Sequence, residues 1–334
     1  MKVIVHRRAV YACPEKHDEA TLLIANKPPQ PIPKGLAAAG LLSQVIVSKF
    51  GDHLPGYRQE DIFSRHGVNI RRSTIYDWLA QSADLCRPLV RLMREKVLSS
   101  NVIHTDDTQV KLIDRALKHT RTARYWAYLG DALNPYTVYD FTEDRSRDGP
   151  AKFLAGYEGY LQADAYSSYD GIYLESSGSI IEVACWAHCR RYWHKAKEQD
   201  PANAHHALSF ISQLYEVERA TKDADVATRH ATRHAARQEH ALPLLREFGA
   251  WLDDQSFLPK SLIGKALTYT RNQWAALNRY VESGELAIDN NPAERAMRLV
   301  AIGRRNWLFV GSPAAGQRSA ILMSLIASLS LIHI

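Results

Sequence analysis

The sequence predicts an α/β protein in which a mixed β-sheet carries a large helical insertion and follows an N-terminal helical region. Helical periodicity runs through residues 36–100, short strand-like segments begin at residue 101, and residues 186–285 have an almost wholly helical pattern. The end of the chain then returns to the sheet domain. These changes of pattern divide the chain into five parts, which are 1–35, 36–100, 101–185, 186–285 and 286–334.

Composition indicates a folded protein with a polyanionic partner. Of 334 residues, 46% are hydrophobic and 23% are charged, and the net charge is +6. Four cysteines are too few for a disulfide framework, and the charged amino terminus lacks the apolar core of an export signal. The apolar run Ala320–Ile334 is too short to span a bilayer and is interpreted as a core helix. We therefore expect a cytosolic protein that is not associated with a membrane.

Residues 1–35 combine one or two short strands with a linker. Val3, Val5 and Val10 belong to an alternating apolar run, which is typical of a strand. The proline-rich run Lys27–Lys34 must be extended, because proline fixes φ and removes a backbone donor. This segment is expected to connect the strands to the helical region.

The helical region contains a possible DNA-binding motif. Tyr57–Arg65 and Ser73–Ser82 have helical patterns on either side of a glycine turn, and Ser73 or Thr74 is a suitable N-cap. Two helices joined in this way predict a helix-turn-helix, with Arg71 and Arg72 at the DNA. A plain helical hairpin is the alternative, and both interpretations bury one stripe of the second helix, formed by Ile75, Trp78 and Leu79.

The order of elements after residue 100 predicts the class of sheet. Three strand-like runs come first, then a helix beginning near Pro150, then two further strands separated by a helix. The predicted strands are Val102–Ile113, Tyr125–Leu129, Tyr136–Phe141, Tyr160–Ala163 and Ile180–Ala184. Three antiparallel strands followed by two strands with intervening helices is the order of a ribonuclease-H-like mixed sheet.

Two of these strands carry candidate acids within them or directly after them. A carboxylate inside an apolar strand is unfavourable unless it binds a cation or hydrogen-bond donors. In the first strand, alternation directs Asp106 and Asp107 to opposite faces of the sheet. The fourth predicted strand ends at Asp164. Each aspartate alone is also compatible with an ordinary turn at a strand end.

A third acidic residue lies near the end of the chain in a basic helix. Asp289 or Asn290 can cap this helix, Pro292 suits its first turn, and Glu294 follows. Four arginines surround this glutamate in sequence and suit phosphate contacts: Arg295, Arg298, Arg304 and Arg305. A well-capped basic helix without a catalytic role is the alternative.

These blocks, in this order, resemble the transposases of the insertion sequence 66 family. The resemblance covers about residues 30–329 and rests on five blocks: Ile32–Gly35, Lys49–Pro55, Cys185–Arg191, Asp289–Arg298 and Arg304–Ser312. It implies that Asp106, Asp164 and Glu294 are the catalytic acids of a DDE transposase, and that the helical part is an insertion between the second and third acids. The acids lie far apart in sequence, so only folding can bring them together.

The resemblance also implies the chemistry and the partners. The three acids would hold two Mg²⁺ ions, for which Mn²⁺ can substitute, in cleavage and strand transfer at phosphorus. DNA, as element ends and target, is the expected partner in a bacterial cytosol at the nucleoid. A homo-oligomer on DNA and accessory proteins of the same element are further expected partners. Without metal, three neighbouring carboxylates would repel, so at least one pKa should be raised.

Several alternatives remain at this stage. A ribonuclease-H-like nuclease without strand transfer, or a degenerate transposase that only binds DNA, would share these residues. The Cys185–Arg191 block could hold zinc through Cys185, His188 and Cys189, although it has no evident fourth ligand. We instead expect Trp186 to be a packing residue. The block's polar residues His188, Arg190 and Arg191 are then expected to face DNA or the acids.

Both ends of the sequence depart from the family pattern. Family members commonly carry a cysteine-rich, zinc-ribbon-like part before the proline linker, and here Cys13 is its remnant. The last helix ends at Leu331–Ile334, where the family pattern continues with polar residues. The sequence is accordingly interpreted as a fragment or as the product of an incomplete element.

Overall fold

The computed structural model describes residues 3–12, 22–33, 35–114, 119–164, 167–225 and 227–331. Cys13 and the terminal residues 332–334, on which the interpretation of the two chain ends depends, lie outside these ranges. Within the ranges, every helix is too short or too polar to serve as a membrane span.

The N-terminal region consists of a small exposed ribbon and three helices. Their bounds are β1 Val10–Ala12, β2 Leu22–Ile24, α1 Ala39–Phe50, α2 Gly56–Arg65 and α3 Arg72–Leu98. The turn between α2 and α3 contains Gly67 at φ 74°, a conformation that glycine adopts readily. The predicted helix–turn–helix order is therefore present, and the stripe Ile75, Trp78 and Leu79 is buried as expected.

Helix α3 is longer than the sequence predicts. It continues past Ser82 and through Pro88, because its later turns still bury Val90, Met93 and Val97 against the core. The predicted cap by Ser73 or Thr74 is wrong. Arg71 occupies the cap position, and no side chain there accepts a hydrogen bond from the helix.

Six strands form the central sheet, and their arrangement confirms the prediction of a mixed sheet. They are β3 Val102–Asp114, β4 His119–Leu129, β5 Thr137–Thr142, β6 Gly159–Gln162, β7 Ile180–Val183 and β8 Phe309–Val310. The order is β5-β4-β3-β6-β7, and β8 pairs with the far end of β3. Strands β3, β4 and β5 are antiparallel, while β6 and β8 run parallel to β3. Strand β4 begins before the predicted Tyr125, because the segment 119–124 pairs with the C-terminal end of β3.

Four helices pack around this sheet: α4 Asp148–Phe153, α5 Ser167–Glu175, α12 Asn291–Trp307 and α13 Pro313–Leu331. Helix α13 covers the edge strand β5, and two of its serines accept hydrogen bonds from backbone N–H groups of that strand. The backbone N–H groups of Thr137 and Tyr139 donate to Ser328 Oγ and Ser324 Oγ at 3.0 and 2.8 Å. The apolar C-terminal run is thus a core helix, as predicted, and its serines are part of the packing.

The predicted helical insertion is present between β7 and α12. It contains α6 Trp186–Ala196, α7 Pro201–Ala220, α8 Arg229–Ala236, α9 Leu242–Asp253, α10 Leu262–Asn272 and α11 Trp274–Asn278, with a π-helical turn at Arg237–Ala241 and a 3₁₀ turn at Arg279–Glu282. A second cluster of buried apolar side chains holds these helices together and includes Trp186, Trp193 and Phe248. Five histidines of α7, α8 and the π-helical turn are exposed and belong to solvated helix faces: His205, His206, His230, His234 and His240.

Candidate active site

The pairing of β3 with β6 places Asp106 and Asp164 side by side. These strands are parallel, and His104 is the register partner of Gln162. Asp106 and Asp164 each lie two positions beyond this pair, so Asp106 lies within β3 just past the stretch that pairs with β6, and Asp164 lies just past the end of β6. Their side chains are partly buried. The sheet therefore brings together two acids that are distant in sequence.

Asp107, the neighbour of Asp106, has a different environment. Its side chain is 1% exposed and accepts from Arg124 Nη1 and Arg145 Nη2, each at 2.8 Å. Two guanidinium groups therefore satisfy this carboxylate on the face of the sheet opposite to Asp106. Asp106 Oδ1 accepts a hydrogen bond from the Asp107 backbone N–H at 2.8 Å. The strand alternation that the sequence predicted thus separates Asp107, which is paired with two arginines, from Asp106, which has no arginine among its described contacts.

Asn290 anchors the helix that carries Glu294. This fully buried residue donates from Nδ2 to the Thr105 carbonyl at 2.8 Å, and its backbone N–H donates to Cys185 Sγ at 3.2 Å. Its Oδ1 lies 3.1 Å from His104 Nδ1. Helix α12 therefore begins against the strand of Asp106, with Glu294 in its first turn. Sequence reasoning considered Asn290 as a cap and missed this anchoring role, since its partners are remote in sequence.

The electrostatics show that the three acids influence one another. The pKa of Asp106 is raised to about 7, chiefly by burial and then by the neighbouring Asp164 carboxylate. Burial also raises the pKa of Asp164, and the carboxylates of Asp107 and Glu294 add to the rise for both aspartates. A raised pKa is the result expected for neighbouring carboxylates without a cation. Each aspartate would be stabilised in its charged form by a nearby positive charge.

Glu294 is contacted by two side chains of helix α6. Arg191 Nη2 makes a short ion pair with Glu294 Oε1, and His188 Nε2 lies 3.7 Å from the same oxygen. Burial, and then the Arg191 charge, lower the pKa of His188. Two of the polar residues expected to face DNA or the acids therefore contact an acid. Arg190 is exposed beside a groove of about 600 Å³ that also contains His194, Lys197 and Arg219.

The donor chemistry of the site fits a divalent cation. Carboxylate oxygens are hard ligands, and Asp164 Oδ1 is buried without a hydrogen-bond partner in the described part of the chain. In that same part, no group of three or more His, Cys, Asp or Glu side chains is close enough to hold a metal ion. Glu294, the third carboxylate, is ion-paired with Arg191.

The cysteines of the Cys185–Arg191 block are packed in the protein interior. Cys189 Sγ lies 3.3 Å from Thr270 Oγ1, and burial raises the pKa of its thiol to about 12. Burial likewise raises the pKa of Cys185 to about 11, which disfavours the thiolate that zinc requires. Trp186 is fully buried and donates to the Leu277 carbonyl at 2.8 Å. Its predicted packing role is confirmed.

The remaining arginines that the sequence suggested for DNA contact are mostly free to reach it. Arg304 differs from the others, since its Nη1 donates to Thr108 Oγ1 at 2.9 Å and to the Gln109 carbonyl. It ties helix α12 to β3 and is only partly exposed. Five further arginines are exposed, two at the start of α3 and three along α12: Arg71, Arg72, Arg295, Arg298 and Arg305.

Comparison with known proteins identifies relatives over most of the chain. The family model described as Transposase IS66 family matches residues 34–318. Uncharacterized protein y4jD of Sinorhizobium fredii is 31% identical over 337 residues, which cover 97% of this chain and 65% of that protein. Uncharacterized protein y4hP of the same organism is 30% identical over 319 residues, which cover 89% of this chain and 57% of that protein. The chain thus spans less than two thirds of the length of these curated relatives.

Proposed function

The chain belongs to the IS66 family of transposases, and on this basis we propose that it is a DDE transposase that cleaves DNA and transfers strands with Asp106, Asp164 and Glu294. One observation carries the proposal. Two partly buried aspartates lie close together in the sheet, Asp106 within β3 and Asp164 just after the parallel strand β6, and the glutamate of helix α12 raises the pKa of both. Carboxylates with perturbed pKa values that gather in this way are typical of functional sites.

The sheet supports a ribonuclease-H-like assignment for this catalytic domain. The central strand β3 carries the first acid and has antiparallel strands on one side and parallel strands on the other. The second acid follows the adjacent parallel strand, and the third comes from a helix after the insertion. The order of elements in the sequence predicted a mixed sheet of this kind.

The three acids are the proposed ligands of two magnesium ions. Ions bound there would activate a water or a DNA 3′-hydroxyl and stabilise the leaving oxygen at phosphorus. The protein's own contribution is positional. Asn290 fixes the start of α12 against β3, and the arginines paired with Asp107 hold the opposite face of the strand. Arg191 is ion-paired with Glu294.

The proposed partners follow from the same reasoning. DNA is bound as element end and as target, in a bacterial cytosol at the nucleoid. A homo-oligomer on DNA and accessory proteins of the same element belong to this proposal. Exposed arginines on α3, α6 and α12 supply positive charge at the protein surface.

Strand transfer is the test that separates this proposal from its alternatives. The purified chain, with Mg²⁺ or Mn²⁺, is incubated with labelled element-end DNA and a plasmid target. We expect a covalent joint between the labelled 3′ end and the plasmid. Metal-dependent nicking without joints would support a nuclease on the same scaffold, and binding without any cleavage would support a DNA-binding derivative. Either result would contradict strand transfer.

Exposed arginines of α12 are expected to contact phosphate. Neutralising Arg295, Arg298 or Arg305 to glutamine should each lower the slope of log affinity against log salt by roughly one unit. Arg304→Gln should change the slope less and lower the melting temperature more, because Arg304 is hydrogen-bonded to β3. DNA binding is measured by anisotropy between low and moderate salt. Unchanged salt slopes in all four variants would show that these arginines do not contact phosphate and have a structural role.

A further inference from the structure

A second site lies between the N-terminal helices and the end of the catalytic domain. It is a cavity of about 880 Å³, a volume within the range of small-molecule pockets. Two sequence blocks of the family resemblance meet there, the segment beginning at Lys49 and the segment ending at Ser312. The cavity is lined by aromatic residues from α2, α3, α12 and β8, which are Tyr57, Tyr76, Trp307 and Phe309.

Lys49 is the most unusual residue of this cavity. Its side chain is buried, with 9% of its surface exposed, and its ammonium lies 5.6 Å from the ring centroids of both Tyr76 and Trp307. Burial lowers the pKa of Lys49 to about 8, and no carboxylate among the described residues offsets this effect. Asp77 lines the cavity but does not raise that pKa. A buried cation without an anion is unfavourable to folding, so a ligand that supplies negative charge is a reasonable partner.

Two glycines leave room for the aromatic rings that flank Lys49. A Cβ on Gly303 would meet Trp307 Nε1 at 2.6 Å, and one on Gly56 would meet the Tyr76 ring at 2.8 Å. Leu308, which follows Trp307, has φ 65° and is 62% exposed at the cavity. Positive φ is strained for leucine, and such strain is often retained at binding sites. The local backbone is thus shaped to present aromatic surface around the cation.

We propose that this cavity binds one unstacked nucleotide of a single DNA strand, with its base against the aromatic rings and its phosphate at Lys49. The proposal rests on the DNA function proposed above and adds a site to it. Every base has a π-face, so aromatic walls beside a cation suit a nucleotide without selecting its sequence. Lys49 and Arg72 supply positive charge at the cavity, while Arg318 is engaged by Asp84.

The position of the cavity predicts which nucleotide enters it. Glu294 and Trp307 lie near opposite ends of helix α12, roughly 20 Å apart at about 1.5 Å of rise per residue. A strand of B-form DNA advances about 3.4 Å per nucleotide. A strand that reaches from the acids to the cavity would therefore place there a nucleotide about six positions from the reacting phosphate.

The test uses the full chain and an oligothymidylate that carries one 2-aminopurine. We expect binding to change the 2-aminopurine fluorescence through stacking, and Tyr76→Leu to weaken binding about tenfold and abolish that change. Tyr76→Phe keeps the ring and should bind within about twofold of the wild type. Equal affinity and equal fluorescence change in Tyr76→Leu and wild type would overturn the cavity as the site.

Lys49→Met is the second variant, with Lys265→Met, at an exposed lysine of α10, as its control. Lys49→Met should lower the salt slope by about 0.7, whereas Lys265→Met should not. Lys49→Met should also raise the melting temperature below pH 8, because the wild-type fold is destabilised there by a buried, charged lysine whose pKa is lowered to about 8. The difference in melting temperature should vanish above about pH 10.5, where the lysine is neutral in both the folded and the unfolded chain. A lower melting temperature with unchanged DNA affinity would make Lys49 structural and contradict the proposal.

The two proposals fail in different ways. If the wild-type chain binds and cleaves DNA while the cavity variants match it, the nucleotide site is wrong and the transposase function stands. If the wild-type chain binds neither the oligonucleotide nor element-end DNA, both proposals are wrong.

Discussion

We expect Asp106→Asn to abolish Mg²⁺- and Mn²⁺-dependent DNA cleavage, whereas Asp107→Asn should retain cleavage in whatever fraction remains folded. Asp106 lies beside Asp164 and has no arginine among its described contacts, while Asp107 is neutralised by Arg124 and Arg145. An amide in place of Asp106 removes a hard anionic ligand from the proposed site. Cleavage of labelled DNA is measured for both variants at a temperature at which both are folded.

Asp107→Asn serves as the structural control for this experiment. The substitution removes the charge and leaves two guanidinium groups facing a buried amide. It should lower the free energy of unfolding by up to about 3 kcal/mol, which is the lower end of the cost of breaking a buried ion pair. The lower end applies because the Arg145 side chain is 34% exposed. If folded Asp107→Asn loses more activity than Asp106→Asn, the assignment of the first ligand must be reversed.

The same Asp106 variant has a predicted effect on stability that depends on pH. Burial and Asp164 raise the pKa of Asp106 to about 7 in the folded chain, so the folded state holds a proton that the unfolded state releases near pH 4. Stability therefore falls as pH rises from about 4 to 7. In EDTA, Asp106→Asn should melt at a higher temperature than the wild type above pH 7, and the difference should disappear near pH 4. A difference that is independent of pH would contradict this origin.

Local patterns in the sequence were sufficient to predict the mixed sheet and its first strands. Alternation in the first strand separated Asp106 from Asp107, and the order of strands and helices predicted a mixed sheet that begins with antiparallel strands. These features depend on neighbours within a few residues, which a pattern can report. The length of α3 was not predictable in this way, since its last turns are held by packing against α13 rather than by local propensity.

Contacts between distant segments were the part that the sequence did not reveal. Arg237 is an example. It is fully buried and donates to both carboxylate oxygens of Glu218 at 2.7 and 2.8 Å and to the carbonyls of three residues of the segment 280–286. A basic residue on a helix ordinarily predicts a solvated face, and only the tertiary fold reverses that expectation. The contacts of Asn290 with Thr105 and of Arg191 with Glu294 are of the same kind.

We expect Glu294→Gln to abolish strand transfer while DNA binding remains nearly intact. The variant removes an anionic ligand from the proposed metal site and removes no positive charge from the surface. Glu239→Gln, at a side chain 75% exposed on the insertion, is the matched control and should transfer strands as the wild type does. Joint formation and DNA affinity are measured for both variants in Mg²⁺ and in Mn²⁺.

The contact between Arg191 and Glu294 decides how the DNA affinity of Glu294→Gln should change. In the described arrangement, Glu294 holds the Arg191 guanidinium, whose side chain is 52% exposed. Glutamine cannot neutralise that charge, so Arg191 becomes available to phosphate and the salt slope should stay equal or become slightly steeper. Reduced affinity with a shallower slope would show that Glu294 instead positions Arg191 for DNA. Strand transfer that survives in Glu294→Gln would remove this residue from the catalytic set.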